Sequence, residues 1–208
     1  MKTLFLIDSH ALIHRFYHAL PPLTASDGTP TNALYGVSAT TLKILKENKP
    51  DYIAAAFDRP EPTFRKEAFK EYKAQRPAAP DDLIPQLQKT REVFDAFKVK
   101  TFEMPGYEAD DIIGTLVEKF SSEGGSASGG KNDLRIIIFS GDNDVLQLVE
   151  GQKVLGQIIK TGMSETVLYD EPGVEGKYDG LGPKRLPDYK GLIGDTSDNI
   201  PGVRGVGP

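Results

Sequence analysis

Nine carboxylates, Asp8, Asp58, Glu108, Asp110, Asp111, Asp142, Asp144, Asp195 and Asp198, stand where an apolar run has just ended or a helix or tight turn begins. Residues 3–7 lead into Asp8, residues 52–57 into Asp58, and residues 135–139, after Ser140-Gly141, into Asp142. Consecutive strands of a parallel sheet point the same way, so residues just past their ends gather along one edge. Acids scattered along the chain would then converge in space. A cluster of that kind repels itself unless metal ions neutralise it, and an all-oxygen donor set suits magnesium or manganese.

Taken singly, Asp8 and Asp58 read as turn formers or helix caps. The run P-G-Y-E-A-D-D, residues 105–111, is harder to explain that way. Acids in a first helical turn gain about 0.3–1 kcal/mol each from the helix dipole, and neighbouring like charges oppose that gain. A metal explains Glu108, Asp110 and Asp111 better. In S-G-D-N-D-V-L-Q-L, residues 140–148, Asp142 and Asp144 lie two apart and can face one ion. In G-D-T-S-D-N-I-P-G-V, residues 194–203, Asp195 and Asp198 have the spacing of one helical face.

The elements that must position these acids alternate. Residues 3–7 predict a buried strand, and Ser9 is placed to cap a helix that Pro21-Pro22 ends near Leu20. Leu34, Val37, Thr41, Ile44 and Leu45 predict an amphipathic helix over 32–47, followed by a strand at 52–57. Ile84, Leu87, Arg91, Phe94 and Phe97 outline a further helix, and residues 98–102 a strand. Ile112, Ile113, Leu116, Val117 and Phe120 mark the helix that carries Asp110 and Asp111. Residues 124–130, rich in Gly and Ser, predict a flexible surface loop. After the strand at 135–139 come a short helix from Asp144 and a strand pair at 154–159 and 166–169. From Glu171 the chain turns to Gly, Pro, Asp and Lys, which predicts a small helical lobe. The pattern is that of an α/β fold with a mostly parallel sheet.

The chain has 208 residues, 38% of them hydrophobic, enough for one real core. It has no cysteine, so disulfides and thiolate metal sites are excluded, in keeping with a reducing cytoplasm. No run is long enough for a signal-peptide core or a membrane span, and no membrane partner is expected. The net charge of −5 does not exclude nucleic acid, because without the nine clustered acids the 25 Lys and Arg outnumber the remaining ones.

Those cations concentrate in residues 59–80, where Arg59, Arg65, Lys66, Lys70, Lys73 and Arg76 interleave with Phe64, Phe69 and Tyr72 between flanking prolines. By spacing alone this is either a solvated amphipathic helix, with Glu61, Glu67 and Glu71 as partners, or a nucleic-acid contact. His10, His14 and His18 share a helix face without the glutamate of a zinc motif, and read as surface or packing residues.

Several motifs occur in one order: F-L-I-D-S-H-A-L-I, A-F-D, T-F-R-K-E-A-F-K-E-Y-K-A-Q-R, G-Y-E-A-D-D, G-D-N-D and G-D-T-S-D-N-I-P-G-V-R-G-V-G. In this order they resemble the 5′ nuclease domains of bacterial DNA polymerase I, in the flap endonuclease superfamily. The resemblance covers essentially the whole chain apart from the Gly-rich loop and residues 171–185. It implies a PIN-like, Rossmann-like catalytic domain over 1–170. Residues 59–80 would be a helical arch, and 171–208 the start of a truncated helix–three-turn–helix lobe. It further implies two Mg2+ (or Mn2+) ions, one held by Asp8, Asp58, Glu108, Asp110 and Asp111, the other by Asp142, Asp144, Asp195 and Asp198.

Lys73 and Arg76 would be the catalytic basic pair, and Arg65 a further phosphate contact. Lys70 and Tyr72 would touch DNA, Tyr72 by stacking on a base; packing inside the arch is the other reading of that ring. Gly202, Arg204, Gly205 and Gly207 would belong to a turn whose N–H groups grip a duplex phosphate with potassium assisting. The expected protein is a monomeric, cytoplasmic, metal-dependent 5′-3′ exonuclease or flap endonuclease acting on DNA with a 5′ flap or 5′ end. A polymerase domain would follow it in a full-length protein. A PIN-type ribonuclease and a non-catalytic DNA-binding fragment are the alternatives.

Overall fold

The computed structural model describes residues 1–121, 134–161 and 165–207. The expected loop at 124–130 lies outside the described residues. Strand β1 (Lys2–Asp8) runs into α1 (Ser9–Ala19), and α2 (Asn32–Lys43) ends in a π-helical turn at Ile44–Asn48. Next come β2 (Tyr52–Ala56), the short α3 (Phe64–Ala68), α4 (Ile84–Ala96), β3 (Lys100–Phe102) and α5 (Ala109–Ser121). Beyond them lie β4 (Leu134–Ser140), a 3-10 turn (Asn143–Leu148), β5 (Val154–Thr161) and β6 (Glu165–Tyr169). The chain continues through α6 (Glu171–Lys177), α7 (Leu186–Ile193), and the short paired strands β7 (Gly194–Asp195) and β8 (Ile200–Pro201).

The main sheet has the order β3-β2-β1-β4-β5-β6, all parallel except β6, which returns antiparallel to β5. The chain moves outward from β1 to β2 and β3, then crosses back to β4 on the other side of β1. That reversal between β1 and β4 is the switch point where α/β sheets bind ligands.

Both sheet faces are covered, which is why the strands read as unbroken apolar runs. Phe5 and Ile7 face the layer of α1, α2 and α4, where Leu12, Phe16, Val37 and Phe94 pack. Leu4 and Leu6 face α5, with Ile113, Val117 and Leu146. Val174 of α6 and Leu186 of α7 join that second core, so the C-terminal helices are packed onto the same side of the sheet as α5.

Two local expectations change. Asp8, not Ser9, caps α1: Asp8 has extended backbone and its Oδ1 accepts from the Ala11 N–H at 3.1 Å, while Ser9 is already helical and buried. Asp195 and Asp198 do not share a helical face. They lie in the β7–β8 turn, where Asp195 Oδ1 accepts from the Ser197 N–H at 2.9 Å. Gly194, at φ 82°, opens that turn against Gly202, and an added Cβ would stand 2.4 Å from the Gly202 nitrogen. Among the described residues no helix is long and apolar enough to cross a membrane.

Candidate active site

Register brings the first acids together. Asp8 ends β1 opposite Ala56 of β2, two residues before Asp58, and Phe139 of β4 pairs with Ile7. Ser140 therefore lies beside Asp8, and its hydroxyl donates to Asp8 Oδ2 at 2.7 Å. Ser140 Oγ in turn accepts from the Asp142 N–H at 3.0 Å, so one serine ties the end of β1 to the turn after β4. Asp58 Oδ1 accepts from the Ala109 N–H at 2.5 Å, which anchors the start of α5 to the end of β2. Asp142 caps the 3-10 turn by accepting from the Asp144 N–H at 3.0 Å.

Asp8, Asp58, Glu108, Asp110, Asp142, Asp144 and Asp198 all line one cleft of about 190 Å³, together with Lys73, Arg76, His10 and His14. Asp111 and Asp195 do not line it. Asp111 faces Arg65 in a two-bonded pair at 2.7 Å and 2.7 Å, and its Oδ2 accepts from the Glu108 N–H. Asp195 accepts from Lys190 at 2.9 Å, and Lys190 also bonds Asp144.

Electrostatics divide the acids. Burial, then the charges of Asp58 and Asp142, push the Asp8 carboxyl up to about 6 despite its bonds from Ser140 and Ala11. Burial and the charges of Asp8, Asp142, Asp58 and Asp144 push Asp110 up to about 8, and among the described residues no donor reaches its side chain. Asp144 is raised by burial and Asp142, against the pull of Lys190. Burial works against the Asp111 charge as well, but Arg65 and the Glu108 N–H outweigh it and hold that carboxyl low. Asp195, partly buried too, is held down to about 2 by Ser197 and Lys190.

Residues 59–80 close over these acids as the short α3 and a series of turns. Lys73 Nζ donates to Glu108 Oε1 at 3.0 Å, and its backbone N–H to the Asp198 carbonyl at 2.9 Å. Lys73 is held at φ 53°, a left-handed conformation that costs an ordinary L-residue about 1–2 kcal/mol. Arg76 donates to Asp198 Oδ1 at 2.6 Å. The solvated-helix reading therefore does not hold: Lys73 and Arg76 pair with the cleft acids Glu108 and Asp198, and Arg65 with Asp111 and Glu108, rather than with Glu67 or Glu71.

Of the two readings of Tyr72, packing inside the arch is the one the structure favours over stacking on a base. Tyr72 is 6% exposed and its hydroxyl donates to Glu108 Oε2 at 2.9 Å, so the ring packs inside the cover and offers no face to a base. Lys70, Gly202, Arg204, Gly205 and Gly207 are exposed, away from the acid cleft's lining.

Three neighbours of the site escaped the sequence reading. His10 accepts the Asp58 N–H at Nδ1, 3.1 Å away, and burial lowers its pKa, which keeps that nitrogen free to accept. Its nearness to Asp8 in sequence was the one clue. Ser140 stood inside a recognised motif, but Lys190 carried no signal before the fold placed it between Asp144 and Asp195.

Among the described residues, no group of three or more His, Asp or Glu forms a ready-made cage for an ion. The donor set still fits a hard divalent cation. Seven carboxylates line the cleft, two with strongly raised affinity for protons, and one has no donor. Magnesium keeps part of its water shell and needs few direct carboxylates, so an open acidic cleft suits it better than a closed cage.

A sheet of this order, with acids at its switch point, defines a PIN-like α/β fold of the kind found in flap endonucleases. The bacteriophage T5 D15 flap endonuclease, solved as a pseudo-enzyme-product complex with DNA and metal ions, superposes with a TM-score of 0.70. The match covers 99% of this chain and 71% of that one at 22% identity, a likeness of fold. The chain belongs to the 5′-3′ exonuclease family through its N-terminal resolvase-like domain, whose family model matches residues 3–179. It is 44% identical over 206 residues to DNA polymerase I of Caldicellulosiruptor bescii, covering 98% of this chain but only 23% of that protein. It is 40% identical over 208 residues to a 5′-3′ exonuclease of Aquifex aeolicus, covering 100% of this chain and 67% of that protein.

Proposed function

We propose that this chain is a metal-dependent 5′-3′ exonuclease and flap endonuclease that hydrolyses DNA phosphodiesters near 5′ ends. The observation that carries this reading is the single cleft shared by seven acids and the basic pair Lys73 and Arg76. Family membership supports it, as do the names of the relatives.

In this reading Asp8, Asp58, Glu108, Asp110 and Asp111 hold one Mg2+ or Mn2+, and Asp142, Asp144, Asp195 and Asp198 the other. When bound, two such ions supply an activated water and neutralise charge on both sides of an in-line displacement. The chain's own part is electrostatic and steric. Lys73, Arg76 and Arg65 leave their acid partners and turn their charge to the phosphate, where negative charge grows in the transition state. Ser140 and His10 keep Asp8 and Asp58 in place while those cations move. The exposed turn at 202–207 is the proposed grip on a duplex phosphate, with potassium as its counter-ion.

The test is cleavage of a 5′-labelled flap duplex with magnesium, against an EDTA control and a matched single-stranded RNA. Magnesium-dependent release of short 5′ DNA products is expected. Preferential cutting of the RNA would make the chain a ribonuclease, and flap binding without product would make it a binding module.

A further inference from the structure

Two aromatic rings stand exposed at the root of the basic segment, one beside the cleft acid Glu108 and the other beside Arg65, which pairs with Glu108 and Asp111. Phe64 precedes Arg65 and is 47% exposed; Tyr107 precedes Glu108 and is 46% exposed. Single exposed rings are ordinary. These two touch, with centroids 5.7 Å apart and planes 54° from one another.

The backbone builds this contact. The Phe64 N–H donates to the Gly106 carbonyl at 3.1 Å, and Gly106 sits at φ 81°, a conformation that favours glycine. The Tyr107 N–H returns to the Met104 carbonyl at 3.3 Å. The Arg65 guanidinium lies 4.7 Å from the Phe64 ring centre, between that ring and Asp111. Helix α3 buries none of its residues, so packing does not require Phe64 to be aromatic. The acids on the flanking segments, Glu61 and Glu103, are neutralised by Arg59 and Arg91. Of the nearby acids, Glu67 on α3 keeps its charge unpaired among the described residues, one turn from Phe64 and next to the cations Arg65 and Lys66.

We propose that Phe64 and Tyr107 form a stacking platform for an unpaired base of the single-stranded 5′ segment as it leaves the cleft. This rests on the nuclease reading above. Exposed aromatic faces beside a guanidinium are the chemistry that holds single strands: every base has a π-face, and the cation meets the adjoining phosphate. The platform also supplies the ring contact that buried Tyr72 cannot.

The test compares cleavage, in magnesium, of a flap that carries its bases with one made abasic throughout. In the unmodified protein the abasic flap should be cut roughly 5- to 100-fold more slowly. Phe64→Ala combined with Tyr107→Ala should erase that ratio, while Phe64→Tyr combined with Tyr107→Phe should retain it. Tyr35→Ala removes an exposed ring from α2 and should leave the ratio unchanged. With EDTA, 2-aminopurine placed at each unpaired position should be quenched on binding by the unmodified protein at one position at least, and not by the double alanine variant.

A double alanine variant that melts normally and keeps the full ratio would overturn the proposal, as would equal cutting of both flaps by the unmodified protein. If the double variant does not fold, either single alanine substitution carries the same comparison. Failure of the unmodified protein to cut any flap in magnesium would overturn the nuclease reading itself, and this proposal with it.

Discussion

Lys73 concentrates the chemistry at the scale of single residues. Its ammonium sits on Glu108, its backbone on Asp198, and its φ is left-handed, so the fold holds it at the mouth of the cleft against local preference. Lys73→Ala should slow flap cleavage about 10²- to 10³-fold, the usual loss when one positioned donor to a transition-state charge is removed. Flap affinity should change little; single-turnover rates alongside a gel-shift titration separate the two effects. A variant that cuts normally would remove Lys73 from the chemistry. The acids were legible in the sequence because carboxylates after apolar runs are a local pattern. Lys73 and Arg76 stood out only through the resemblance, since spacing alone left a solvated helix equally open. For Tyr72 the sequence left stacking and packing both open, because its burial depends on Glu108, distant in sequence. Lys190 was hidden for the same reason: its partner Asp144 lies on another element.

At the scale of elements, the strands, the longer helices and a mostly parallel sheet followed from strand runs and helical periodicity, while strand order, caps and turns did not. Helix α2 shows why. Its own cap residue, Thr31, makes no side-chain bond, and the job falls to Gln86 of α4. Gln86 is fully buried, accepts from the Ala33 N–H at 2.8 Å and the Leu34 N–H at 3.3 Å, and donates to Asn32 and Asp82. No local pattern in the sequence reveals a cap supplied from another helix. Gln86→Ala should lower stability by about 1–3 kcal/mol by stranding these buried groups, read as a shift in the urea midpoint at constant m-value. An unchanged midpoint would mean that water replaces the cap. The β7–β8 turn was missed for a related reason: the i,i+3 spacing of Asp195 and Asp198 suits a helix and a tight turn alike, and the close approach of Gly194 to Gly202 decides for the turn.

For the whole molecule, the cost of gathering the acids should appear as pH-dependent stability. Asp8 and Asp110 hold protons in the folded state, up to about 6 and about 8, that the unfolded chain releases near 4. Between those limits these two carboxyls bind more protons in the folded state, so their contribution to stability should fall as pH rises from about 4 to about 8. This outweighs the opposite effect of His10 and His14, whose lowered pKa costs stability only below about 6.5. Asp111 and Asp195 are shifted down; their contribution is fully present above about 4 and disappears only in stronger acid. Melting in EDTA should thus occur at a lower temperature at pH 8 than at pH 5, and magnesium should recover most of the difference, since an ion that binds only the folded state stabilises it. A Tm that does not depend on pH in EDTA would contradict this. The account as a whole rests on one claim, that the acids lining the cleft carry magnesium-dependent cleavage. Asp142→Ala tests it most directly, because Asp142 lines the cleft at a turn and can be truncated without opening the core. Single-turnover cleavage of a 5′-labelled flap in magnesium should fall by at least about 100-fold, with the thermal melt essentially retained. Normal cleavage by folded Asp142→Ala would contradict the account.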